Sequence, residues 1–94
     1  MIKHIRHKGL RLLWEEGDCS KLPAEHAMRI ERMLITINKA RQVPYDFAAF
    51  KEWNIHRLKG DMKDFWSIKV SKIYRIIFKF DGQDAYDIDY IDYH

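Results

Sequence analysis

The sequence predicts an α+β domain, with two main helices packed on one side of a mainly antiparallel, twisted β-sheet. Three observations lead to this class. Apolar residues recur at helical spacing up to about residue 37, whereas apolar and polar residues alternate in the last third of the chain. Asp81-Gly82 then separates two alternating runs, which is typical of a β-hairpin.

The N-terminal segment predicts an edge strand followed by a short helix. Ile2 and Ile5 stand among polar residues, as on one face of a strand. The apolar residues that follow at helical spacing are Leu10, Leu13 and Trp14. Gly17 comes directly after two glutamates and is a typical C-terminal stop for this helix.

A second, longer helix is predicted from one apolar stripe. Pro23 fits the first helical position, and the helix should end before Pro44, whose ring disfavours helical geometry at Val43. The stripe consists of Ala27, Ile30, Met33, Leu34 and Ile37. The segment Tyr45–Phe50 can form one more helical turn.

Alternation in the last third of the chain predicts three strands, at residues 65–70, 73–80 and 85–91. In the last two strands, the residues expected on the face that the helices cover are Tyr74, Ile76, Phe78, Phe80, Tyr86, Ile88 and Tyr90. The opposite face then presents Arg75 and Lys79 to a ligand.

Length and composition restrict the class of protein. Ninety-four residues are expected to form a single domain over 1–94, and 47% hydrophobic and 33% charged residues exclude a disordered chain. Cys19 is the only cysteine, which excludes an intramolecular disulfide and a cysteine-built zinc site. No apolar run reaches signal-peptide or transmembrane length, so we expect a cytosolic protein with no membrane partner.

Positive charge is concentrated in the segment from His56 to Phe80, although the net charge is only +3. The basic residues of this segment are Arg57, Lys59, Lys63, Lys69, Lys72, Arg75 and Lys79, against Asp61 and Asp64. Such a segment suits a polyanion, most commonly nucleic acid. A solvated strand face explains the same pattern equally well.

Three features could supply the chemistry of metal-free RNA cleavage: the segment His56–Asp61, the strand with Arg75 and Lys79, and Asp92-Tyr93-His94. This reaction needs a base for the ribose 2′-hydroxyl, an acid for the departing 5′-oxygen and cations for the phosphate. A half-buried structural role for His56 and fraying of the last residues are the simpler alternatives.

A series of acidic residues towards the C-terminus invites a metal hypothesis: Asp81, Asp84, Asp87, Asp89 and Asp92. The first two suit the hairpin, and the series lacks the loop and glycine placement of a calcium site. No His-x-x-x-His spacing for zinc occurs. We therefore predict neither a metal site nor a cofactor.

Several segments together resemble the HigB branch of the RelE toxin superfamily over nearly the whole chain. They are His-x-Leu-Lys-Gly-Asp at 56–61, Phe65-Trp66-Ser67-Ile68, Tyr74-Arg75-Ile76 with Phe78, and Asp92-Tyr93-His94. The resemblance implies a RelE-like fold and an endonuclease that cuts mRNA in the ribosomal A site. It also implies a HigA-like helix-turn-helix antitoxin, through which alone the toxin would contact operator DNA.

The resemblance also implies roles for individual residues. His56, Asp92, Tyr93 and His94 would be the proton-transfer groups, with orienting or activating a neighbour as the alternative role of Asp92. Lys59 and Arg75 would bind the phosphate, with Arg57, Lys72 and Lys79 adding to the RNA-binding set. The chain departs from the family pattern at Ser71-Lys72, where an arginine is common, and Lys72 would face the opposite way from residue 71. A gyrase inhibitor resembling the ParE toxins and a pure co-repressor of the antitoxin are the alternatives.

Overall fold

The computed structural model describes residues 1–92, and Tyr93 and His94 lie outside the described residues. Within that part of the chain the helices are α1 (Lys8–Glu16) and α2 (Ala27–Lys39). The strands are β1 (His56–Arg57), β2 (Phe65–Lys69), β3 (Tyr74–Asp81) and β4 (Asp84–Asp92). They form one antiparallel sheet in the order β1-β2-β3-β4, which confirms the predicted α+β class.

Helix α1 has a cap at each end. The His7 imidazole accepts a hydrogen bond from the backbone N–H of Leu10 (3.3 Å), which satisfies one of the free donors of the first turn. The helix stops at Gly17, whose φ of 71° lies in the left-handed region that glycine adopts without strain. The predicted C-terminal stop is therefore confirmed.

Helix α2 buries the predicted stripe, since Ile30, Met33, Leu34 and Ile37 have no exposed surface. The prediction was wrong about its start, because α2 begins at Ala27 rather than at Pro23. Residues Ala24–His26 form a 3₁₀ turn, closed by a hydrogen bond from His26 N–H to the Pro23 carbonyl (3.0 Å). Such tighter turns commonly precede an α-helix.

The main core lies between the helices and one face of the sheet. Ile68 and Ile76 are directly paired across β2 and β3, and both are fully buried. The sheet residues in this core are Ile68, Val70, Ile76, Phe78, Ala85 and Ile88. Fully burying one such large side chain contributes roughly 1.5–3 kcal/mol, so this face fixes the position of the sheet against the helices.

A β-bulge in β4 overturns the predicted alternation. Ile77 is paired with Asp89, but Lys79 is paired with Tyr86, so β4 contains one extra residue there. Asp87 lies at this point with a φ of 51°. The extra residue reverses the facing of the strand before it, which leaves Tyr86 37% exposed instead of in the core.

The N-terminal segment protects the free edge of β4. Ile2 and Ile5 form isolated parallel bridges to Ala85 and Ile88 rather than the predicted edge strand. The N–H of Lys3 donates to the Ala85 carbonyl (2.9 Å). Covering an edge in this way removes a row of unpaired backbone groups that could recruit another strand.

The side of the sheet away from the helices is called the outer face here. Its residues are His56, Phe65, Ser67, Lys69, Arg75, Ile77 and Lys79. Sequence alternation predicted that this face presents Arg75 to a ligand, but Arg75 is only 8% exposed. The Lys79 side chain is 42% exposed. The outer face is therefore partly buried, although the helices lie on the other side.

Candidate active site

His56 lies on the edge strand β1, directly opposite Ser67 of β2. Its Nδ1 is 2.8 Å from the backbone carbonyl oxygen of Asn54. A carbonyl oxygen only accepts hydrogen bonds, so Nδ1 carries a proton and donates it. In the neutral imidazole Nε2 then has a free lone pair, which is the form that a proton-transfer group needs.

His56 lines an open pocket of about 390 Å³ together with Arg57, Leu58 and Lys59. The Arg57 guanidinium lies 4.9 Å from the centre of the Trp66 ring and donates to the Lys63 carbonyl (3.2 Å). Lys59 is exposed. The sequence segment His56–Asp61 therefore places an imidazole and two cations around one opening, as a phosphate site requires.

Arg75 lies in a cross-strand row with Lys69 of β2 and Ile91 of β4. Its position at the interior of the sheet explains why it is buried, unlike the exposed Arg57 of the edge strand β1. The next row towards the β2–β3 turn pairs Tyr74 with Asp92. The row of Arg75 is therefore next to the row of Asp92. His56 lies further from Asp92, in the row of Ser67 and Ile77.

The β2–β3 turn contains Ser71 and Lys72, the position where the sequence departs from the expected family pattern. The Ser71 hydroxyl accepts hydrogen bonds from the N–H groups of Ile73 (3.3 Å) and Tyr74 (3.1 Å), so it closes the turn. Lys72 is exposed beside it. A guanidinium does reach this turn, because Arg29 of α2 donates from Nη1 to the Val70 carbonyl (2.6 Å). Sequence reasoning missed Arg29, since the contact joins two elements that are distant in the chain.

Lys79 lies in a different cluster from His56. Its Nζ is 3.5 Å from Oδ2 of Asp87, which also faces Nη2 of Arg6 at 3.6 Å. His4 Nδ1 donates to Oδ1 of the same carboxylate at 2.7 Å. The hydrogen bond from His4 is the main reason why the pKa of Asp87 is lowered, and Lys79 and Arg6 lower it further. We call these four residues the Asp87 cluster.

Asp92 ends β4 on the helix-facing side, because its cross-strand partner Tyr74 packs against the main core. The Tyr74 and Tyr90 rings stack with their centres 4.9 Å apart. Burial raises the pKa of Tyr90 to about 12, and the neighbouring Tyr74 and Asp92 add to this effect. Three strand spacings separate β1 from β4, about 14 Å, so His56 and Asp92 are not in direct contact.

Two of the predicted proton-transfer residues, Tyr93 and His94, lie outside the described residues. Sequence reasoning also did not anticipate that Ser67 is buried beside His56. Its side chain is fully buried opposite His56, and its hydroxyl forms no hydrogen bond with any residue of the described chain. A serine inside an alternating strand gives no signal that its hydroxyl is buried.

The acidic series separates in the structure. Asp84 lies 3.6 Å from the N-terminal ammonium group. Asp87 pairs with cations in the Asp87 cluster instead. Within residues 1–92 no three His, Cys, Asp or Glu side chains come together as metal ligands would. In the same part of the chain, neither helix has the length and apolarity needed to cross a bilayer.

Comparison with known proteins decides the family. Residues 3–94 match the HigB-like toxins, described as the RelE-like toxin of type II toxin-antitoxin system HigB. The chain is a HigB-like toxin. Endoribonuclease HigB of Proteus vulgaris is 42% identical over 94 residues, which is the full length of both proteins. The resemblance seen in the sequence is therefore confirmed, and membership of a toxin–antitoxin family implies an antitoxin partner.

Two solved structures align with this HigB-like toxin over nearly its whole length. YafQ from E. coli has a TM-score of 0.56 and 14% identity, covering 98% of this chain and 91% of its own. The protein HP0894 from Helicobacter pylori has a TM-score of 0.49 and 10% identity, with 98% and 92% coverage. The likeness to YafQ concerns the fold alone and agrees with the RelE-like fold that the sequence predicted.

Proposed function

We propose that this HigB-like toxin is a cytoplasmic endoribonuclease that cuts messenger RNA in the ribosomal A site and thereby stops translation and growth. Its full-length similarity to a relative named an endoribonuclease supports the enzymatic class. The observation that carries the proposal is the His56 imidazole, anchored through Nδ1 and lining a pocket with Arg57 and Lys59. Such a site suits proton transfer next to a phosphate.

In the proposed reaction the ribose 2′-oxygen attacks the adjacent phosphorus, and the bond from phosphorus to the 5′-oxygen breaks. A base accepts the 2′-hydroxyl proton, and an acid donates a proton to the leaving 5′-oxygen. The products are a 2′,3′-cyclic phosphate and a 5′-hydroxyl, and the protons balance without a metal ion. We assign one transfer to His56 and the other to Tyr93 or His94, leaving open which is the acid. Asp92, about 14 Å from His56 across the sheet, would orient or activate its neighbours.

The proposed phosphate ligands come from two places on the sheet. Lys59 and Arg57 lie at the His56 pocket, and Lys72 is exposed at the β2–β3 turn. Arg75 is buried in the sheet, where low dielectric strengthens its attraction for a phosphate oxygen. The phosphate-binding role of Lys79 stays a prediction from the sequence. In the structure its ammonium group pairs with Asp87 and lies away from the His56 pocket.

We further propose a helix-turn-helix antitoxin of the HigA type as the partner, with operator DNA contacted only through it. Membership of a toxin–antitoxin family supports a partner of this general kind. The ribosome and mRNA are the proposed partners in cleavage. The positive charge of the segment from His56 to Phe80 suits the RNA phosphates of both.

The chemistry of the cut ends tests the proposal. Purified toxin should cleave mRNA on programmed ribosomes and leave 2′,3′-cyclic phosphate and 5′-hydroxyl ends. A matched reaction without ribosomes should leave the same message intact. Ends with a 3′-hydroxyl and a 5′-phosphate would contradict attack by the 2′-oxygen. Intact messages together with inhibited DNA gyrase would favour a toxin of the ParE type.

A further inference from the structure

We propose that Asn54 is a positioning residue for His56. Its backbone carbonyl holds the imidazole through Nδ1 and so makes Nε2 the nitrogen that exchanges protons with RNA. The inference rests on the proposed role of His56 in cleavage and specifies the atom through which that role is performed. Asn54 lies outside the sequence motif of residues 56–61, so the motif alone does not point to it.

The backbone of Asn54 has an unusual conformation. It has φ 47° and ψ 53°, the left-handed conformation, at the end of the 3₁₀ turn Lys51–Trp53. Its N–H donates to the Lys51 carbonyl at 3.1 Å. Asparagine adopts this conformation more readily than most residues other than glycine. This reversal of the chain directs the Asn54 carbonyl back onto the side chain of His56.

The Asn54 carbonyl is anchored on both sides. Trp53 is 4% exposed and stacks on Phe50, with ring centres 4.1 Å apart and an interplanar angle of 9°. On the other side, His56 is paired with Ser67, and the Leu58 N–H donates to the Phe65 carbonyl at 3.0 Å. The carbonyl is therefore held between a buried tryptophan and a strand, which restricts the orientation of the imidazole.

The hydrogen bond to this carbonyl determines the tautomer of the His56 imidazole. Because the Asn54 carbonyl only accepts, the neutral His56 ring must carry its proton on Nδ1. When the ring is protonated, Nδ1–H remains bound to the carbonyl, and Nε2–H is the proton available for transfer. Both the base and the acid role therefore proceed through Nε2. A catalytic histidine in the wrong tautomer loses most of its activity.

Nitrogen NMR of the full chain tests the tautomer directly. Long-range ¹H–¹⁵N correlations of the histidine rings, assigned to His56 by comparison with His56→Gln, should show a protonated Nδ1 and an unprotonated Nε2 in the neutral ring. A neutral ring with the proton on Nε2 would overturn the inference. This measurement does not depend on RNA cleavage, so it separates the inference from the proposed function.

Three substitutions at Asn54 test the positioning role. Glycine adopts the left-handed conformation freely, so Asn54→Gly should keep the tautomer and cleave within about threefold of wild type. Valine is β-branched and resists this conformation, so Asn54→Val should lose the tautomer preference and cleave at least about tenfold more slowly at saturating ribosomes. Asn54→Ala, with a smaller side chain that also disfavours this conformation, should shift both readouts in the same direction.

The two readouts distinguish the possible failures. If Asn54→Val and Asn54→Ala fold and keep the Nδ1–H tautomer, the carbonyl does not set it and the role of Asn54 is wrong. If the tautomer changes but cleavage does not, His56 is not a proton-transfer group, which overturns the proposed mechanism. A glycine variant that loses the tautomer would also contradict the backbone argument.

Discussion

The Asp87 cluster resembles the His56 edge of the sheet, which consists of Asn54, His56, Arg57 and Lys59. The two regions differ in their balance of charge. In the Asp87 cluster, a residue in the left-handed conformation bonds Nδ1 of His4 through its carboxylate. Arg6 and Lys79 complete the cluster, and both lie over the Phe65 ring, at 5.9 and 5.2 Å from its centre. The carboxylate balances part of this positive charge.

At the His56 edge, the residue in the left-handed conformation is Asn54, and it bonds Nδ1 of His56 through a neutral carbonyl. Arg57 lies over the Trp66 ring, and Lys59 is exposed beside it. Among residues 1–92, no carboxylate lies within ion-pair distance of either cation. A similar local construction therefore carries a balancing carboxylate in one place and leaves unbalanced positive charge in the other, as the proposed phosphate site would need.

The largest expected effect separates the two histidines. His56→Gln should lower cleavage of ribosome-bound mRNA by at least about 100-fold, because it removes a proton-transfer group. His4→Gln should stay within about twofold of wild type, since it removes only an exposed contact to Asp87. Cleavage rates of both variants on programmed ribosomes check the prediction. Equal losses in the two variants would end the functional distinction between the regions.

The next effect concerns the two lysines. Lys59→Ala should slow cleavage by about fivefold to tenfold and weaken its dependence on salt, because an unpaired cation at the pocket binds phosphate. Lys79→Ala is the matched control and should change cleavage by less than about threefold, since Lys79 pairs with Asp87. A larger loss for Lys79 than for Lys59 would instead place Lys79 among the phosphate ligands, as the sequence predicted.

A smaller effect should appear in stability as a function of pH. Asp87 has a lowered pKa, so its contribution is present above its usual value of 3.8 and is lost as the pH falls below it. Asp87→Asn should lower the free energy of unfolding by about 0.5–1 kcal/mol at pH 7. Urea unfolding should show this difference shrinking below about pH 4. A difference that does not change with pH would mean that the ion pairs do not stabilise the cluster.

An effect of similar size but opposite sign is expected at Ser67, the buried neighbour of His56. Its hydroxyl forms no hydrogen bond within the described residues, so Ser67→Ala should raise the free energy of unfolding by up to about 1 kcal/mol. Thermal or urea unfolding measures this. A loss of stability would instead show that the hydroxyl has a hydrogen-bond partner.

Local patterns in the sequence were sufficient for much of the fold. The buried stripe of α2, the stop at Gly17 and the Asp81-Gly82 hairpin all depend on residues close together in the chain. The bulge at Asp87 could not be predicted, because aspartate in an alternating run gives no sign of an extra residue. One inserted residue then reversed the predicted facing of Tyr86.

The candidate site was predictable as a set of residue types but not as an arrangement. His56 and Lys59 were named from the residue types of the segment 56–61 and from the family resemblance, and the structure places both at one pocket. The burial of Arg75, the contact of Arg29 with the β2–β3 turn and the carbonyl of Asn54 depend on tertiary packing or on backbone geometry. Such features have no signature in the order of side chains.

Primer extension on a reporter message after toxin induction tests the central claim most directly. Wild-type toxin should produce cuts inside the reading frame, and these should disappear when translation is blocked. The His56→Gln variant, with its fold confirmed by its unfolding transition, should leave the message intact. Full-length messages during growth arrest by wild-type toxin, or cuts that persist without translation, would contradict the account.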